Sequence, residues 1–148
     1  MIKAAMKPLV DHFMNSVPHI KALGIGFSNA GRDWAELNLP WREDLVGYPG
    51  APGEKGVIAS GAVFALMDTT AGFASQAASK GFQPVATLDL RLDYLRPARP
   101  GETVFAYAKV QRRTRTVIFV RGYAHDGDRE DPVALMSGCF MPTKGAKS

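Results

Sequence analysis

Asp68 is the only acid between Ser60 and Lys80, and nearly everything around it is small or apolar, from Gly61, Ala62 and Val63 to Ala71, Gly72 and Phe73. A carboxylate in such company is costly to bury without a partner or a task. Beside an electrophilic carbon it can act as a general base toward water or attack as a nucleophile. The plainer alternative is an acid that accepts a hydrogen bond from a threonine or a partner chain for structure alone. Ser60 stands eight residues earlier, where a helix would begin, and the unpaired N–H groups of a helix start favour negative charge. Its hydroxyl has no histidine visibly paired with it, so the simpler role for the side chain is an N-cap. A third group is basic: Arg91, Arg96, Arg99, Arg112, Arg113, Arg115 and Arg121, with Lys109 among them, crowd one third of the chain. Guanidinium groups suit phosphate because they donate two parallel hydrogen bonds. A solvated basic face that only aids solubility is the alternative.

These residues need elements to hold them. Pro8 to Asn15 sets Leu9, Val10, Phe13 and Met14 near one helical face, and Pro18 to Leu23 predicts a second helical turn before Gly24. Ile25 to Leu39 alternates like two strands of a hairpin around Asn29-Ala30-Gly31. Pro40 to Gly56, rich in glycine and proline, reads as a long loop of the kind that borders functional sites. Ser60 to Lys80 is the clearest helix, with Ser60 as its N-cap and Gly81 just past its end. Its many alanines and glycines make it thin, and a thin apolar helix is buried on most sides. Four strands follow, at Gln83–Arg96, Glu102–Arg112, Thr116–His125 and Pro132–Met141, joined by short turns that imply an antiparallel sheet. One apolar helix with such a run of strands predicts an α+β architecture.

The chain's 148 residues fit one domain, 1–148, and can bury a core without staples. Cys139 is the only cysteine, which excludes an internal disulfide and a multi-cysteine metal site and fits a reducing cytoplasm; it reads as a core residue. No metal or resident cofactor is expected. No apolar run is long enough to span a membrane, and Met1 to Pro8 lacks the apolar stretch of a signal peptide, so a cytoplasmic location is expected. The net charge is +4, yet no zinc-finger, helix-turn-helix or aromatic RNA-binding motif accompanies it, so nucleic acid is not the expected partner.

Two segments resemble the phenylacetate-degradation type of acyl-CoA thioesterase in the hotdog superfamily. Gly61-Ala62-Val63-Phe64-Ala65-Leu66-Met67-Asp68-Thr69-Thr70-Ala71-Gly72 is similar to the family's helix, with its Leu-x-Asp and small residues. Ala86-Thr87-Leu88-Asp89-Leu90-Arg91-Leu92-Asp93-Tyr94-Leu95-Arg96-Pro97-Ala98-Arg99-Pro100-Gly101 resembles the strand that ends in Tyr-Leu-Arg-Pro-Ala and a glycine. The likeness of layout spans about residues 20–143, with the helix at 8–15 outside it. It implies a long helix wrapped by a five- or six-stranded antiparallel sheet, and sheets joined edge to edge in dimers or tetramers with active sites at the subunit boundary.

The resemblance further implies hydrolysis of acyl- or aryl-CoA to a free acid and CoA, with Asp68 as general base or nucleophile. The N–H groups of Ser60 and Gly61 would bind the oxyanion, and Thr87, at the place of a Ser or Thr on the family strand, would position water. Arg96, Arg99, Arg112, Arg113 and Arg115 are the candidates for the phosphates of CoA. One departure stands out: the family usually carries His-Gly-Gly at the helix start, and here the His position is Ala59. An Asn that often precedes that His by six residues falls on Gly53 or is displaced within this loop. Two other readings compete. A hotdog hydratase or dehydratase leans on a His paired with an acid, which is not in place here; a non-catalytic acyl-CoA binding or sensing protein would tolerate the loss of the His.

Overall fold

The computed structural model describes residues 4–144. A helix, α3 (Ser60–Ala77), lies against a six-stranded antiparallel sheet. The strands are β1 (Gly26–Ala30), β2 (Trp34–Leu39), β5 (Val85–Tyr94), β6 (Val104–Arg113), β7 (Ile118–His125) and β8 (Ala134–Pro142), in the spatial order β1-β2-β6-β7-β8-β5. This is the expected α+β hotdog arrangement. Leu66, Met67, Ala71, Phe73 and Ala74 of α3 are fully buried, as are Leu37, Ala106, Ala108, Val120 and Phe140 on the facing strands. The small helix residues let the curved sheet approach closely, and burial of this shared face drives the fold.

Two shorter helices, α1 (Lys7–Ser16) and α2 (Pro18–Leu23), cover the end of α3. Phe73 meets Phe13, Phe27 and Phe82 edge-on, at 4.9, 5.7 and 5.3 Å between ring centroids. Gly24 ends α2 in the left-handed region, φ 71°, as its place after Leu23 predicts.

The elements differ from the sequence reading in four places. Helix α3 stops at Ala77, three residues short of Lys80, where Ser79 turns its hydroxyl back to the Ser75 carbonyl at 3.0 Å. Its N-cap is Ala59, not Ser60, and no side chain caps it. The loop after Pro40 holds a short 3-10 turn (Glu43–Leu45) and a small hairpin of β3 (Val46–Tyr48) with β4 (Val57–Ile58). Cys139 is half-buried on the outward side of β8, in line with the exposed Leu135 and Met141, and does not join the core.

Strand β5 lies at one edge of the sheet, paired only with β8 and bulged between Thr87 and Asp89. Past the bulge the alternation re-phases, so Leu90 and Leu92 face the core while Arg91 and Asp93 face out. The free edge is long, and Leu88, Tyr94 and Leu95 beside it are exposed. Such an edge is a template for pairing with another chain.

Gly122 in β7 sits where β6, β7 and β8 pack most tightly. A Cβ there would lie 2.2 Å from the Tyr107 carbonyl oxygen and 2.6 Å from Met136 Cε. The methionine can move but the backbone cannot. Gly122→Ala is therefore expected to destabilise the fold by about 2–3 kcal/mol, read as a drop in Tm.

Candidate functional site

Asp68 lies midway along α3 on the side that faces the end of β5. Its Oδ1 accepts a hydrogen bond from Thr87 Oγ1 at 2.8 Å. The two residues named for the chemistry are thus brought together by a helix and a neighbouring strand. They open into a cleft of about 260 Å³ shared with Phe13, Val17, Ile20, Gln76, Val85 and Phe140. The apolar walls suit a carbon chain or ring, and the carboxylate keeps Oδ2 free of any partner among the described residues.

The helix start is a second location. The first α3 bonds run from Ala62 and Val63 N–H to the Ala59 carbonyl, so the N–H groups of Ser60 and Gly61 have no acceptor among the described residues. Ser60 and Gly61 are exposed, and a Cβ on Gly61 would meet nothing within 4 Å. A cavity of about 480 Å³ adjoins them, walled by Tyr48, Val57, Ile58, Val63, Tyr94, Leu95 and Val133. The small hairpin of β3 and β4 forms one side of it, which is how the glycine-rich loop comes to border a site.

Eight residues of helix separate Ser60 from Asp68, a rise of about 12 Å. One reacting carbonyl cannot touch both. The catalytic candidates of a single chain therefore form two half-sites, at the two ends of β5.

The arginines divide. Arg96 grips Asp126 through two bonds, Nη2 to Oδ1 at 2.7 Å and Nη1 to Oδ2 at 2.9 Å, and donates to the Asp131 carbonyl at 2.6 Å. Arg99 gives Asp126 its backbone N–H at 2.7 Å and also reaches Asp131 with its guanidinium, at 3.7 Å. These contacts tie the chain after β5 to the turn between β7 and β8, and leave Arg96 without a free face for phosphate. Arg113 donates to the Ala78 carbonyl at the end of α3, at 2.8 Å. Arg112 and Arg115 stand exposed around the β6–β7 turn with no hydrogen-bond partner among the described residues.

Two residues gained roles that their types alone did not reveal. Tyr94 is half exposed and donates its hydroxyl to the Ser60 carbonyl at 2.8 Å. Burial pushes its phenol up from the ordinary value, so it stays a neutral donor. Asp126 is a fully buried acid whose pKa the Arg96 guanidinium holds down at about 2. His125 beside it is buried and held neutral, pushed below the ordinary histidine value chiefly by that burial. It lies on β7, away from both half-sites.

Among the described residues no three His, Cys, Asp or Glu side chains gather as a metal site would require, and no helix is long and apolar enough to cross a membrane. A family model, the thioesterase superfamily, matches residues 55–133, which holds α3, Asp68, β5 and the helix start. The chain belongs to the thioesterase superfamily. A Halobacterium salinarum protein named as an esterase by inference is 33% identical over 111 residues, 74% of this chain and 70% of the relative. A solved Pseudomonas aeruginosa protein is 36% identical with a TM-score of 0.78, over 89% of this chain and 95% of that one. The E. coli PaaI protein of the phenylacetic acid degradation operon shares the fold at TM-score 0.77 and 20% identity, over 95% and 94% of the two chains. In this thioesterase-superfamily chain Ala59 supplies no side-chain donor, so the polarity of the helix start comes from the backbone.

Proposed function

We propose that this thioesterase-superfamily chain hydrolyses acyl-CoA or aryl-CoA thioesters, at sites shared between two copies. The observation that carries this reading is Asp68, held by Thr87 beside a free sheet edge, about 12 Å along the same helix from unpaired N–H groups. Antiparallel pairing of two β5 edges about a two-fold axis at Arg91, with the bulge between Thr87 and Asp89 taking up one residue, sets position 87 of one strand opposite position 94 of the other. Asp68 and Thr87 of one copy then face Tyr94 and Ser60 of its partner, and the two half-sites make a whole. The layout favours the phenylacetate-degradation type of the superfamily.

In the reaction, the thioester oxygen turns toward the Ser60 and Gly61 N–H groups, which with the helix dipole stabilise the oxyanion as it forms. Asp68 takes the proton of a water that attacks the carbonyl carbon. The tetrahedral intermediate collapses, the C–S bond breaks, and the departing thiolate takes back the proton held by Asp68, so that CoA leaves as the thiol and the acid departs. Thr87 fixes Oδ1 and aims Oδ2 at the water. Direct attack by Asp68 through an anhydride remains a variant of the same placement, distinguished by whether labelled water oxygen enters Asp68 in a single turnover. The cavity beside the helix start takes part of the acyl group, and Arg112 and Arg115 are the arginines free to meet the CoA phosphates, with Arg113 beside them tied to the Ala78 carbonyl.

Two substitutions at one position test the backbone role. Ser60→Pro removes the N–H at the first helical residue, where proline is tolerated, and Ala59 already has the extended backbone (φ −57°, ψ 138°) that a following proline requires. It is expected to lower kcat about a hundredfold with the fold retained. Ser60→Ala keeps the N–H and is expected to stay within about twofold of the parent. Thiol release from CoA esters measures both. Equal loss in the two variants would instead make the Ser60 hydroxyl the working group.

A further inference from the structure

We infer that Tyr94 is a positioning residue for thioester hydrolysis, acting on the oxyanion donor through the Ser60–Gly61 peptide. The inference rests on the hydrolase reading above and deepens it. Tyr94 Oη donates to the Ser60 carbonyl at 2.8 Å. That carbonyl and the Gly61 N–H belong to one planar trans peptide and point in opposite directions. Fixing the oxygen therefore fixes where the N–H points. Apart from the helix's own backbone bond, no other side chain steadies it: Ala59 offers no capping group, and Gly61 has open space where a side chain would pack.

The extra bond is not needed to satisfy the carbonyl, because as the first residue of α3 Ser60 already accepts the N–H four residues on. What a second donor adds is polarisation. Drawing electron density toward the carbonyl oxygen makes the N–H across the peptide a stronger donor, as linked hydrogen bonds strengthen one another. Tyr94 comes from β5 and Gly61 from α3, so the contact also locks the helix start to the edge strand on which a partner would pair. The ring lines the cavity at the helix start, which leaves the hydroxyl close to the thioester without making it the group that touches the reacting atoms.

Tyr94→Phe removes the hydroxyl and keeps the ring. Measured beside wild type and Asp68→Asn on a panel of CoA esters, it is expected to lower kcat about tenfold and leave KM within about twofold, since the donor matters most once charge develops on the oxygen. Tm should hold, and the amide proton of 15N-labelled Gly61 should move upfield. An active wild type, an inactive Asp68→Asn and a Tyr94→Phe with unchanged kcat would overturn the inference alone. A wild type that releases no thiol, or an Asp68→Asn as active as the parent, would overturn the hydrolase reading and this inference with it. Should Tyr94→Phe not fold, 3-fluorotyrosine at position 94 serves instead. Its more acidic phenol stops donating at lower pH, so the alkaline loss of kcat should begin earlier; an unmoved profile would contradict the role.

Discussion

Asp68→Asn is expected to lower kcat for thioester hydrolysis by about 10²–10⁴-fold while the protein folds and still binds CoA esters. Asparagine matches the shape of the carboxylate, and its carbonyl oxygen can take the Thr87 hydroxyl as Oδ1 does at 2.8 Å. What it lacks is basicity toward water and nucleophilicity toward the carbonyl. The loss should therefore fall on kcat and leave KM near the parent value. Thiol release from aryl- and alkyl-CoA esters reads the rate, and calorimetric titration with the same esters reads binding. Tight binding with no release, already in the wild type, would favour the binding or sensing protein that the missing histidine at position 59 allows. Hydration of an enoyl-CoA would favour the dehydratase class.

The largest stability effect is expected at Asp126. Its side chain is wholly buried and takes two bonds from Arg96 and one from the Arg99 backbone. Asp126→Asn leaves the Arg96 charge without its main partner, and breaking such a buried pair costs about 3–5 kcal/mol. Asp131 stays 3.1 Å from Arg96 Nε and softens the loss, so a value near the lower end, about 3 kcal/mol, is expected from urea unfolding. The pH dependence follows from the same pair. Asp126 has a folded pKa of about 2, against an unfolded value near 3.9. A depressed carboxylate contributes stability that is complete above the unfolded value and is lost as pH falls through the folded one. About 2 kcal/mol should therefore drain away between roughly pH 5 and 2, and Asp126→Asn should flatten that limb. His125, held neutral by burial, loses stability at a higher pH, as protonation sets in below its ordinary value near 6.5, and that part should survive the substitution.

Much of the fold could be read from residue patterns because its strongest signals are local. Leu66, Met67, Ala71 and Ala74 repeat at helical spacing among small residues, and the strands of β6, β7 and β8 alternate cleanly between tight turns. Asp68 and Thr87 were legible as a pair only through the family resemblance, since nineteen positions of sequence separate them. Where reading fell short, the cause is tertiary. The hairpin inside the glycine-rich loop depends on Trp41 donating to the Gly56 carbonyl at 2.9 Å and on Ala59 N–H meeting Leu45, contacts that no local pattern announces. Arg96 looked free because its partner Asp126 lies thirty positions on, beyond the reach of any local pattern. Cys139 looked like core because its type is apolar, yet the alternation of β8 sets it on the outer face with Leu135 and Met141, opposite the buried Met136 and Phe140.

Mixing two inactive variants tests the shared site most directly. Asp68→Asn and Ser60→Pro chains, each dead alone, are combined, dissociated and allowed to reassociate. If a site takes its carboxylate from one copy and its N–H donors from the other, each mixed dimer holds one intact site, and random pairing should restore about a quarter of wild-type activity. A mixture as inactive as its components, with mixed dimers present by mass spectrometry, would contradict a thioester held between the Asp68 of one chain and the helix start of the next.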